Sequence, residues 1–190
     1  MREIRDMLNE IVDEPTKKTV LRIYDDIEKE LKNKPAAVKY HHSENGGLYR
    51  HTKEVMAYAL EIYDARPNSY NCTRDDVIVA SFVHDFNKID QYTKAPEWKK
   101  LKYGQEFDTV SRIWMNESAR TARLCAEYGL LLNDTVMNAV CLHHAAWSVD
   151  VSSPYGYVKS EDFTPLAVIL CSSDLLSSFI LGRKAKDARD

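Results

Sequence analysis

The sequence is short of several things, and each shortage removes a class of protein. Across its 190 residues no apolar run approaches the roughly 20 that a membrane-spanning helix needs. No CxxC pair occurs, and the four cysteines (Cys72, Cys125, Cys141 and Cys171) are scattered, three of them in apolar helical patterns. Such thiols suit a protein buried around them in a reducing cytoplasm. GxSxG, the P-loop and GxGxxG are absent, which removes the usual motif-borne nucleophile and the glycine-rich phosphate cradles. Charge of one sign is not in excess either. The formal net charge of −3 gives no global pull toward nucleic acid, although a local basic patch stays open. The opening MREIRDMLNE is charged from its second residue, unlike a secretory leader. There is no internal repeat, no linker that would split the chain, and no convincing alternation of a β-strand.

What remains is a soluble globular composition, 44% hydrophobic and 29% charged, of one-domain size and with helical periodicity almost throughout. Residues 2–13 read as a short helix with Ile4, Met7, Leu8 and Ile11 on one face. Pro15 suits the first turn of a second helix running to about Lys32, striped by Val20, Ile23, Tyr24, Ile27 and Leu31. Asn33 to Gly47 is a loop, and Leu48 to Ala65 a helix stopped by Pro67. Thr73 with Asp76 resembles a capping box and opens a helix through about Phe86. Residues 90–106 look irregular, and Asp108 to Tyr128 reads as a long helix ended by Gly129. Asn133 or Asp134 caps the next, to about Ala146, and Thr164-Pro165 starts the last, to about Leu181. The prediction is an all-α single bundle. Residues 1–34 form an N-terminal helix pair on the core, 35–182 the main domain, and 183–190 a charged tail. The helix pair carries enough apolar surface either to cap the bundle or to make a homo-oligomer.

Three of the six histidines fall within HHSENGGLYRHT, residues 41–52. His51 lies in the first turn of its helix, in line with Val55, Ala59 and Ile62. His84 closes VIVASFVHD, a helix apolar almost all round, and His143 and His144 end TVMNAVCLHH. Asp174, in PLAVILCSSDLL, shares a face with Ala167, Leu170 and Cys171, and no lysine or arginine joins it there. A carboxylate on a core face is expensive unless a cation or several donors meet it. Any one of these residues alone has a bland reading, as a hydrogen-bonded core histidine or a capping aspartate. Together, on four helices, His51, His84, Asp85, His143, His144 and Asp174 have a single explanation in a metal centre.

The order His, His-Asp, His-His, Asp on successive helices resembles the HD-domain superfamily of metal-dependent phosphohydrolases. VHDFNKI resembles that family's signature, with Asn87 at its glycine position and Lys88 kept. KPAAVKYHHSENGGLYRHT is similar to the start of the HD domain in YhaM-type 3′→5′ exoribonucleases and in some relaxase-associated HD domains. HHAAW and SSDLL match in order and rough spacing, so that the resemblance runs from about Ile11 to Leu181. It implies that His51, His84, Asp85 and Asp174 hold a metal ion. It implies that His143 or His144 serves a second metal, the substrate phosphate or the leaving group as general acid. His41 and His42 would lie near the mouth of the site, and Gly46 and Gly47 would let the loop turn tightly into the helix.

Two departures shape the expectation. Two-metal members carry a further histidine where this chain reads RIWMNESARTARL, so Glu117 either supplies an oxygen ligand or the site holds one metal. One firmly bound ion and a weaker second is the expected content. The single-strand-gripping OB-fold module of YhaM-type enzymes is also missing, which favours a small nucleotide over a polymer. A mixed imidazole and carboxylate set suits Mn²⁺, Fe²⁺, Co²⁺, Ni²⁺ or Zn²⁺ rather than Ca²⁺.

Lys88 is placed to meet a phosphate or to pair with Asp85, and His42 is a further phosphate or proton-transfer candidate. QYTKAPEWKKLKYGQEF interleaves lysines with Trp98 and Tyr103, which either stack a base or pack on the bundle. Trp147 either walls a base pocket or fills core. The functions that follow are a cytoplasmic nucleotide phosphohydrolase, a 3′→5′ exonuclease on short single-stranded RNA or DNA, or a non-catalytic nucleotide- or protein-binding module.

Overall fold

In the computed structural model, residues 1–38, 41–110, 116–144 and 163–181 are described. Helix α1, Ile4–Leu8, is shorter than the periodicity suggests and buries Ile4, Met7 and Leu8. It stops because the chain turns at once into α2, Glu14–Leu31, whose N-cap Asp13 accepts a hydrogen bond from the Thr16 amide ahead of Pro15. The Asp75 carboxylate clamps that turn by accepting from the amides of Val12 and Asp13. The predicted stripe of α2 is buried in the same apolar cluster as the helices that follow, so the first two helices complete the bundle's core.

Helix α3, Gly47–Ala65, packs against α4, Arg74–Val83, and against α9, Pro165–Leu175. The capping box of α4 is formed in both directions between Thr73 and Asp76. Every residue of α4 from Val77 to Val83 is buried, as expected of a central helix. It ends at Val83, short of the predicted Phe86, where the backbone tightens into turns from Phe86 to Val83 and from Lys88 to Asp85. His84, the C-cap, keeps helical backbone angles, and the turns lead into the single turn α5, Lys88–Gln91.

The stretch expected to be irregular contains a small β element. Strands β1, Tyr92–Lys94, and β2, Phe107–Thr109, pair antiparallel with Thr93 opposite Asp108, and α6, Glu97–Tyr103, bridges them. Three-residue strands are too short to show alternation. Strand β2 also displaces the start expected for the long helix at Asp108. Helix α7 is Glu117–Glu127, begun by Asn116, whose side chain accepts from the Ala119 amide. Helix α8, Asp134–Leu142, is capped by Asn133, and α9 by Thr164. Beyond Leu175 the last helix continues to Leu181 as a π-helical turn. The all-α expectation holds, with the β1–β2 hairpin as its exception. No helix among the described residues is long and apolar enough to cross a membrane.

Candidate metal centre

Four elements bring their polar residues to one place. The first turn of α3 supplies His51, the end of α4 supplies His84 and Asp85, the end of α8 supplies His143 and His144, and α9 supplies Asp174. His51 Nε2 lies 3.1 Å from Asp174 Oδ1 and 3.3 Å from Asp85 Oδ2. His84 Nε2 stands 3.2 Å from His51 Nε2 and 3.5 Å from Asp85 Oδ2. His143 Nε2 reaches to 3.8 Å from Asp85 Oδ1. His144 lies tilted against His143 with ring centroids 3.8 Å apart, and its Nδ1 lies 3.6 Å from Glu117 Oε2.

Acceptor-only partners fix the proton on each ring. His84 Nδ1 is 2.8 Å from the Ser81 carbonyl, and His143 Nδ1 is 2.6 Å from the Val140 carbonyl. A carbonyl only accepts, so both rings carry their proton at Nδ1 and turn a bare Nε2 toward Asp85. His143 Nε2 and Asp85 Oδ1 are buried and have no hydrogen-bond partner. Buried lone pairs that face one another in this way call for a proton or a metal ion between them, and Asp85 raises the His143 pKa against burial.

The charges agree. Asp85, Asp174 and Glu54 are three carboxylates less than a tenth exposed, against one buried ammonium, Lys88, which donates to Asp85 Oδ2 at 2.7 Å. In the metal-free site a proton on His51 meets part of this excess, and a divalent ion would take that proton's place. Burial disfavours charge on His51, yet its bonds to Asp174 and Asp85 outweigh this and push its pKa up to about 9. Burial acts to raise Asp85, but Lys88 and the surrounding imidazoles hold it well below the carboxylate range. Asp174 is lowered against its own burial, chiefly by His51. Burial lowers His84, which keeps it a neutral imidazole. Burial would lower Lys88, and Asp85 holds it above its ordinary value instead.

The donor set therefore fits a divalent transition metal. Ligand atoms of His51, His84 and Asp85 lie within 4.8 Å of one another, as do those of Asp85, His143 and His144. Asp174 closes the first group through His51. Glu117 Oε2 stands beside His144 of the second.

Other expected residues fall differently. His42 is 1% exposed, and both its ring nitrogens are engaged, Nδ1 by Arg50 Nε at 3.0 Å and Nε2 by Glu54 Oε2 at 3.0 Å. No nitrogen is left for a phosphate, so the expected phosphate contact at His42 gives way to a brace behind the site. His41 instead lies over His51, with ring centroids 5.1 Å apart. Its Nδ1 is buried without a partner, and burial pulls its pKa down to about 4. Gly47 explains the glycine pair. A Cβ there would stand 1.9 Å from the His42 carbonyl oxygen, and His42 itself turns through a positive φ of 46°. Asn87 fills the glycine position of the signature by bonding Thr121 and Gln91. Trp98 and Tyr103 on α6 are exposed and contact each other at 6.4 Å rather than packing on the bundle. Trp147 lies outside the described residues.

Three residues join the site that the sequence does not single out. Glu54, Ser177 and Ser178 are buried and bonded to the histidines and to Asp174. The signals were a glutamate three residues after His51 on the same face, and paired serines one turn beyond Asp174 in an apolar run.

No curated protein and no solved structure gives a significant match to the chain. Residues 48–178, which span His51 through Ser178, match the HD domain. The chain belongs to the HD-domain family, a superfamily of metal-dependent phosphohydrolases.

Proposed function

We propose that the chain hydrolyses phosphoester bonds of nucleotides with a divalent metal held by His51, His84, Asp85 and Asp174. The observation that carries this reading is the convergence of imidazole Nε2 atoms and two ionised carboxylates in one buried place. A metal bound there activates water and neutralises charge on the phosphate oxygens.

The chain's own residues supply the rest. Lys88 keeps Asp85 ionised and carries further N–H donors suited to a phosphate oxygen. His143, its Nδ1 proton held by the Val140 carbonyl and its pKa raised against burial by Asp85, would deliver a proton to the leaving oxygen from Nε2 once it has taken up a second proton there. His144 and Glu117 beside it suit a weaker second ion, and Mn²⁺ is our first choice for loading. His41 Nδ1 is a further unengaged group directed into the site. No two of the four cysteines are bridged, which supports a reducing, cytoplasmic setting.

A second reading, a 3′→5′ exonuclease on short single strands, draws support from the exposed Trp98 and Tyr103, each with a lysine ammonium over its ring.

Product chromatography separates the readings. Protein loaded with Mn²⁺ is incubated with nucleoside mono- and triphosphates, cyclic dinucleotides, and short labelled RNA and DNA, beside an Asp85→Ala control. Turnover of free nucleotides that the control lacks supports the first reading, and laddering of oligomers alone supports the second. A metal-loaded protein that turns over neither leaves a binding module and overturns both.

A further inference from the structure

Behind His51 runs a chain of hydrogen bonds whose direction is forced from its far end. Arg50 has only donors, so His42 Nδ1, 3.0 Å from Arg50 Nε, must accept. The proton of His42 is then on Nε2, where it meets Glu54 Oε2 at 3.0 Å. Burial acts to raise the Glu54 carboxyl, but its bonds from His42 and Ser177 hold it below the ordinary value, so it is an acceptor only. Ser177 Oγ has one proton and gives it to Glu54 Oε2 at 2.7 Å. Its oxygen can therefore only accept from His51 Nδ1, 2.9 Å away. His51 is left with Nδ1–H turned to Ser177 and Nε2 turned to Asp174 and Asp85.

We propose that Glu54, acting through Ser177, is a positioning residue that fixes the tautomer and ring orientation of His51 for the metal. The proposal rests on the metal-centre reading above. His84 and His143 take their Nδ1 acceptors from the carbonyls of their own helices, three residues back. His51 Nδ1 instead meets Ser177 Oγ at 2.9 Å, so a side-chain acceptor serves where the other two rings use a carbonyl. That acceptor comes from the π-helical turn after α9, which brings Ser177 to His51 and, one residue on, Ser178 to Asp174. A hydroxyl alone would not fix the proton, because it can donate to His51 as well as accept. The buried carboxylate removes that choice by taking the hydroxyl proton. Outer partners of this kind raise ligand basicity as well as orienting the ring.

The test uses Zn²⁺ alone as the probe, with the full chain as wild type, Glu54→Gln, Ser177→Ala, Ser177→Thr and His84→Ala. Affinity is read by competition with a chromophoric chelator. The His51 proton is read from imidazole nitrogen NMR on the zinc-loaded and metal-free protein. We expect Ser177→Ala and Glu54→Gln to bind Zn²⁺ about 10- to 100-fold more weakly. In the metal-free state above pH 9, where His51 is neutral, its Nδ1 proton should be lost to a mixture of tautomers, with circular dichroism unchanged. Ser177→Thr, which keeps the hydroxyl, should restore both. If wild type and His84→Ala bind Zn²⁺ equally poorly, the metal-centre reading fails. If wild type binds it tightly and His84→Ala does not, while Ser177→Ala and Glu54→Gln match wild type in affinity and in the Nδ1 signal, the positioning role alone fails. Should Ser177→Ala not fold, Glu54→Gln, close to isosteric, decides by the same two readouts.

Discussion

The two ends of α4 are built on opposite rules. At its N-terminal end the polar groups are matched. Asp76 closes the capping box with Thr73 and also accepts from Asn133, and Asp75 takes the amides of Val12 and Asp13. At its C-terminal end His84 and Asp85 are buried among other histidines and carboxylates, and Asp85 Oδ1 and His143 Nε2 have no hydrogen-bond partner. A cavity of about 520 Å³ opens at the first end, between Val12, Arg74, Leu131 and Val136. Here unsatisfied chemistry, not open space, marks the functional pole, because buried lone pairs without partners persist only where something else pairs them. The matched end anchors the bundle, so that the unmatched end can be held in place.

This contrast can be broken at either pole. The largest effect is expected at Asp85. Asp85→Ala should abolish tight binding of a transition metal, measured by metal analysis after dialysis. It should also lower any phosphohydrolase rate by more than about a thousandfold, the scale of lost electrostatic stabilisation. Its stability need not fall, since the change also relieves buried charge, although Lys88 is left unpaired.

Next is Gly47→Ala. The new methyl meets the His42 backbone, which has no flexible end to give way. The expected cost is at least about 2 kcal/mol in denaturant unfolding, with the His42–Glu54 brace displaced and metal binding weakened as well.

Protonation gives a smaller, graded effect on the metal-free protein. His41 is lowered by burial to about 4, so between there and its unfolded value of 6.5 the unfolded chain binds the extra proton. Stability therefore falls on acidification through that window, by up to about 1.4 kcal/mol per pH unit. His51, raised to about 9, acts oppositely. Its contribution is complete below pH 6.5 and is lost as pH rises through 9. Thermal melting should be highest near pH 6.5. Zinc should narrow the alkaline loss, because it takes the place of the proton on His51.

The smallest effect belongs to the matched pole. Thr73→Ala removes one half of a capping box and should cost about 1 kcal/mol. Metal affinity should stay at the wild-type value, read by the same chelator competition. A change in metal binding there would erase the distinction between the poles.

Much of this was legible in the chain. The stripes of α2 and α3, the Thr73 box, the Asn133 cap and the Thr164-Pro165 start are local signals, each written in a few neighbouring residues. So was the oddity of Asp174, a carboxylate in an apolar face with no cation beside it. The hairpin of β1 and β2 was not legible, because strands of three residues carry no period and are made by their pairing. The true start of α7 was hidden because the apolar pattern runs on upstream of Asn116.

The sequence by itself determined most of the helices and the burial of His51, His84 and Asp174, since periodicity is a property of one segment. Only the tertiary structure decided what those residues face. It turned His42, expected to meet substrate, into the far support of His51, and it brought Glu54 and Ser177 together from α3 and the final turn, 123 positions apart. A hydrogen bond's direction depends on its whole chain of partners, and that chain exists only when distant segments are packed against one another.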